Sequence, residues 1–250
     1  MLTRYRLTLT PDHPSRPRAE WAYRLYAALL AQAPGAFGAE VHQDGATPVS
    51  QHLSLDGGEL RWTVSLLGAD CEEQLSGLLE QLRHLRLEKD RVTLTVERRE
   101  RRTIADAEEL LDLAARERGL HTLHFVTATA FKSQGRYLNL PSAHLIIQSL
   151  VKKWNGCVRE CTIEDTDGQG AEALAAGLRI RSFRLRDRMY YLKGSSIPGF
   201  VGELTLENRL DGFQRQLADA LLLFADDAGV GIKTTLGMGG VEHMLSLIHI

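Results

Sequence analysis

The chain has 250 residues, 44% hydrophobic and 25% charged, with a formal net charge of −2. That composition suits a globular protein with a substantial core, in one large domain or two small ones. It excludes a polycation, so any nucleic-acid surface must come from local clustering of basic side chains. Cys71, Cys157 and Cys161 are too few for a disulfide framework and fit a reducing compartment. The N-terminus lacks a continuous apolar run, and no stretch reaches the roughly 18 apolar residues of a membrane span. The expectation is a cytoplasmic protein without membrane contact.

Leu2 to Thr10 alternates, with Tyr5, Leu7 and Leu9 on one face and Arg4 and Arg6 on the other, which predicts a half-buried strand. Ala22, Leu25 and Leu29 then recur at helical spacing, and Pro34 ends that helix. Strands follow at Leu53–Leu55 and Leu60–Leu67, around the Asp56-Gly57-Gly58 turn. Leu75, Leu78, Leu79 and Leu82 mark a second helix, and Val92, Leu94 and Val96 a further strand. Thr103-x-x-Asp106 is a candidate cap for a helix that Gly119 ends. The order is βαββαβ, the ferredoxin-like (RRM-like) pattern.

The second half repeats it. A strand runs over Leu123–Phe131, and Pro141 opens a helix through Ile147, Leu150 and Trp154. Strands follow over Gly177–Lys193 and Phe200–Leu206. Leu210, Phe213, Leu217, Ala220 and Phe224 make an amphipathic helix, and Ile232–Val241 reads as the closing strand. The fold class is α+β, with two tandem ferredoxin-like domains over 1–119 and 120–241. Residues 242–250 are set apart as a tail. Within it Leu245-Ser-Leu-Ile-His-Ile250 follows no earlier pattern, reads like translated adaptor sequence, and enters no functional argument.

Chemistry-bearing residues concentrate in a few stretches. Leu178 to Lys193 holds six basic residues against one acid, and Arg184, Arg186 and Arg188 share one face of an extended chain. Such a ribbon can track phosphates, with Tyr190 and Tyr191 near enough to stack on bases; the alternative is a solvated strand face. Lys132 and Arg136 flank Gly135 in a segment that suits phosphate binding or a plain surface loop. Gly229 to Gly240 holds five of the 22 glycines but has neither P-loop nor dinucleotide-fold spacing. Its backbone could cradle an anion or simply turn into a last strand. His42 and His52 lie in the turn-rich region after the first helix, where histidine is the usual acid or base at neutral pH. His121-x-x-His124 with Cys157 and Cys161 fits no standard zinc spacing.

Three stretches in order carry a family resemblance. They are Thr129-Ala-Phe-Lys-Ser-x-Gly-Arg-Tyr-x-x-Leu-Pro141 with Ile147-Gln-Ser-Leu-x-x-Lys-Trp-Asn155 behind it, Gly199-Phe-Val-Gly202, and Gly231-Ile-Lys-Thr-Thr-Leu-Gly-Met-Gly239. The chain resembles the CRISPR-associated endoribonucleases of the RAMP superfamily, which process precursor CRISPR RNA. The resemblance implies cleavage of repeat RNA with no metal or other cofactor, leaving a 2′,3′-cyclic phosphate and a 5′-OH. It implies that His42 is the catalytic histidine, with Tyr26 as a helix tyrosine that is either catalytic or core. Some members add a lysine shortly after the histidine; no lysine lies between Met1 and Glu88, so that role is vacant or filled by another group. RNA contact falls to Lys132, Arg136, Arg184, Arg186, Arg188, Gly231, Lys233, Gly237 and Gly239. The alternative is a non-catalytic RNA-binding subunit of a CRISPR effector complex. Partners are repeat RNA within precursor CRISPR RNA, with effector subunits and a homodimer left open.

Overall fold

A computed structural model describes residues 1–33 and 48–244 of the chain. The first unit runs β1 (Leu2–Pro11), α1 (Glu20–Leu30), β2 (Val49–Asp56), β3 (Glu59–Leu67), α2 (Ala69–Gln81), β4 (His84–Leu87) and β5 (Val92–Ile104). Its antiparallel sheet has the order β2-β3-β1-β5-β4. That is the ferredoxin-like order, with β4 added at the edge as a hairpin partner of β5. The alternation in β1 decides the layering. Tyr5, Leu7 and Leu9 pack with Leu25 and Leu29 of α1 and Leu75 and Leu79 of α2. Arg4 and Arg6 face the other way.

α3 (Ala107–Ala114) leads into the second unit: β6 (Leu120–Thr129), β7 (Phe131–Ser133), β8 (Arg136–Leu138), α4 (Ala143–Cys157), α5 (Gln169–Ala176), β9 (Leu178–Leu192), β10 (Ser195–Asn208), α6 (Gly212–Ala228) and β11 (Val241–Met244). The sheet order β11-β6-β10-β9 is again ferredoxin-like. Phe125, Phe200, Trp154 and Phe224 centre its core, which also takes in Leu2, Leu67 and Ile104 from the first sheet and Ala107, Leu110 and Ala114 from α3. The two units therefore share one apolar seam.

Ion pairs cross that seam. Arg4 Nε donates to Asp227 Oδ1 at 2.9 Å and its Nη2 to Asp226, while Arg102 Nη2 donates to Asp227 Oδ2 at 2.6 Å. Burial alone would raise the Asp226 pKa; Arg4 and Arg102 outweigh it and hold that carboxyl below its usual range.

Three local expectations change. Thr103 does not cap α3, because it lies in β5 opposite Thr3. Asp106 is the cap: it accepts from Glu109 N at 2.8 Å, and Glu109 reaches back to accept from Ala105 N at 2.6 Å. The stretch after Phe131 is a two-stranded hairpin, β7–β8, turning at Gln134 and Gly135, both at positive φ. The closing strand begins only at Val241, because Lys233 (φ 56), Gly237 (φ 98) and Gly239 (φ 68) hold left-handed conformations that no ladder tolerates. Glu242 to Met244 continue that strand beside β6.

Candidate functional site

Where α1, α4, the β7–β8 hairpin and the glycine-rich segment meet, they enclose a groove of about 1290 Å³. Among the described residues, five lysines line it (Lys132, Lys152, Lys153, Lys193 and Lys233) against two aspartates, Asp165 and Asp167. A net-basic concavity of this kind concentrates field on a bound polyanion.

Four local devices bring the five lysines there. Lys132 projects from β7, which is held to β8 by pairing with Tyr137. Lys193 sits at the tip of the β9–β10 hairpin at φ 48, next to Gly194 at φ 81, and its Nζ lies 4.9 Å from the Tyr23 ring of α1. Lys152 and Lys153 come from one turn of α4. Lys233 sits at the apex of a closed loop, where its carbonyl accepts from Leu236 N at 2.9 Å and Met238 N at 3.2 Å. The base of that loop is sealed by Val230 N to Gly239 O at 2.9 Å and Gly239 N to Ala128 O at 3.0 Å.

Glycine is required in this loop for close contact as well as for its left-handed backbone. A Cβ on Gly231 would stand 2.3 Å from Ala130 O, and one on Gly237 would stand 2.6 Å from both Ala22 Cβ and Tyr190 Oη. Tyr190 Oη donates to the carbonyl of Leu236 and lies 3.3 Å from that of Ala19. One buried side chain of the arginine-bearing strand thus touches both α1 and the glycine-rich loop.

The groove unites Tyr26, Lys132, Gly231 and Lys233 of the residues singled out in the sequence. Gly237 and Gly239 are buried behind it. Arg136 ends the β7–β8 turn opposite Ser133, exposed and outside the groove lining. Arg184, Arg186 and Arg188 are exposed on β9, opposite Glu203, Val201 and Gly199 of β10. They occupy the strand that leads into Lys193. Tyr26 is 3% exposed and packs in the first core, yet it also borders the groove. Burial first, and Cys71 second, push its hydroxyl pKa up. That hydroxyl has no hydrogen-bond partner among the described residues.

His42 lies outside the described residues. Of the residues flanking that stretch, Leu30 lines the groove, and Val49 O accepts from Oγ1 of the lining residue Thr235 at 3.2 Å. His52 is 4% exposed on β2, against Gly240. His121 is buried and bonded to Asp219 Oδ1 at 2.7 Å. His124, one register step from Leu123, is 4.0 Å from Glu242 on the opposite face. Sequence reasoning gave no role to Lys152 or Lys153 and counted Lys193 only within the basic stretch of 178–193. Lys153 stands inside the motif ending at Asn155, but no local pattern shows which side of a helix a groove will form on.

Residues 123–241 match the family model described as CRISPR-associated endoribonuclease Cas6. A CRISPR-associated endoribonuclease Cas6 of Streptococcus thermophilus is 29% identical over 233 residues, covering 92% of this chain and 93% of that protein. The Cas6 of Mycobacterium tuberculosis is 29% identical over 249 residues, covering 96% of this chain and 78% of that protein. Among solved structures, a Cas6 product complex superposes with a TM-score of 0.77 at 25% identity, over 98% of this chain and 100% of the other. No helix among the described residues is long and apolar enough to cross a membrane. The matches bear out the resemblance carried by the three motifs and the tandem ferredoxin-like fold.

Proposed function

We propose that the chain is a CRISPR-associated endoribonuclease like the Cas6 proteins it is similar to, and that it processes repeat RNA in the cytoplasm by a metal-independent transesterification. The 2′-OH upstream of the scissile bond attacks phosphorus. The 2′-O–P bond forms, the P–O5′ bond breaks, and the products are a 2′,3′-cyclic phosphate and a 5′-OH. The 2′-OH proton goes to a base, the leaving 5′ oxygen takes a proton from an acid, and the phosphorane charge needs donors.

The observation that carries this reading is the lysine-lined groove, which Leu30 lines ahead of the stretch bearing His42 and whose Thr235 bonds to Val49 after it. His42 serves as acid or base. Tyr26, whose buried hydroxyl keeps its proton throughout the neutral range, suits donation rather than abstraction. Lys233 and Lys132 hold phosphate oxygens of the bound RNA in the groove. Arg136, Arg184, Arg186 and Arg188 track the RNA beyond it, and Gly231, Gly237 and Gly239 give the loop its shape. Effector subunits and a homodimer remain further partners in this proposal.

The test is cleavage of repeat RNA in EDTA, with the 3′ end of the product identified. Wild type is expected to leave the cyclic phosphate, and His42→Ala to slow cleavage by about 100-fold or more. Undiminished cleavage by His42→Ala removes that residue from the mechanism. RNA binding without any cyclic-phosphate product would favour the non-catalytic effector subunit.

A further inference from the structure

α4 presents two polar side chains one turn apart to the base of the glycine-rich loop. Ser149 Oγ accepts from Gly231 N at 2.8 Å. Lys153 Nζ donates to Ala228 O at 3.1 Å and to Gly229 O at 2.9 Å. Residues i and i+4 lie on the same helix face, so the two hooks act on adjoining backbone. They hold the last carbonyls of α6, which a helix end leaves without intrahelical partners, and the first free N–H of the loop. Gly229 is also where the ends of the loop cross, since a Cβ there would stand 2.7 Å from Gly239 O. A cation at the C-terminus of α6 also meets the negative end of the helix dipole.

We propose that Ser149 and Lys153 are positioning residues that bolt the glycine-rich loop to α4 and thereby aim Lys233 into the RNA groove. The assignment rests on the reading of that groove as the RNA site. Burial pushes the Lys153 pKa down to about 7, so desolvation works against the charged form that the two carbonyls favour. Lys152, next in sequence but exposed, lines the groove with no such bonds among the described residues, and it is the natural comparison.

Two readouts on the full chain test this. The first is amide hydrogen exchange without RNA at Val230, Met238 and Gly239, none of which bonds to either hook. Exchange is expected to rise about tenfold or more in Lys153→Met and in Ser149→Ala, and to stay near wild type in Lys153→Arg and Lys152→Met. The second is steady-state cleavage of repeat RNA. Lys153→Met is expected to raise KM about tenfold with kcat within about twofold, because loop contacts bind ground and transition states alike, and Lys153→Arg to restore KM. Unchanged loop exchange in the two disabling variants overturns the proposal. So does a fall in kcat at unchanged KM, which would mean only a smaller folded fraction. If Lys153→Met does not fold, Ser149→Ala and Lys153→Arg decide by the same measurements. If wild type does not cleave, the nuclease reading fails by itself, while loop exchange and the affinity for repeat RNA still decide the bolt.

Discussion

Lys233 shows how one residue gains a role from its backbone. At φ 56 a non-glycine residue sits in the small left-handed region, and it stays there because its carbonyl accepts two amides of its own loop. Replacing it with alanine is expected to weaken repeat-RNA binding several-fold and to reduce the slope of log K against log salt by about 0.7, the amount for one phosphate contact on a single strand. A salt titration of affinity measures this, and an unchanged slope would take Lys233 off the RNA. The glycine spacing and Lys233 were visible in the sequence. That Gly237 serves contact with Ala22 and Tyr190 was not, because those partners lie 215 and 47 positions away and no local rule links them.

Elements here are joined by charge as well as by apolar surface. β1 and β5 meet α6 through Arg4, Arg102, Asp226 and Asp227, with Arg4 4% and Asp227 2% exposed. Removing one partner of a buried pair strands the other charge in low dielectric. Asp227→Ala is therefore expected to cost about 3–5 kcal/mol of stability, and Arg4→Met a similar amount. The double variant should cost less than the sum, because the two losses share one interaction. Urea unfolding of the single and double variants checks both statements; additive losses would show that the pair is not coupled. The alternation of β1 placed Arg4 on the face away from the first core, which is correct. Its carboxylate partners are more than 220 residues away, and only the packing of α6 against the first sheet identifies them.

At the scale of the whole molecule, stability should depend on pH through two histidines that burial keeps neutral. His52, packed against Gly240 where the units meet, and His243, hydrogen-bonded to His121 at 2.9 Å, are both held down to about 4. For His52 burial is the largest cause, followed by Arg4; for His243 it is burial, then His121. Their folded values lie below the unfolded value of about 6.5, so the unfolded chain binds more protons in between. The stabilisation is complete above pH 6.5 and is lost as pH falls toward 4, by about 2 kcal/mol for each histidine at pH 5. The urea midpoint should therefore drop between pH 7 and pH 5, and replacing His52 with Gln should flatten the drop. Apolar periodicity and turn residues were sufficient to give α+β with two ferredoxin-like units, and three ordered motifs were sufficient to give the family resemblance, because both signals lie within short spans of chain. The groove was decided by tertiary structure alone. Its lysines stand at 132, 152, 153, 193 and 233, on a hairpin, a helix, a hairpin tip and a loop, and each is locally an ordinary surface residue. Only the docking of α1, α4 and the glycine-rich loop against one another brings those charges to a common wall, and that docking is driven by apolar contacts distributed over the whole chain.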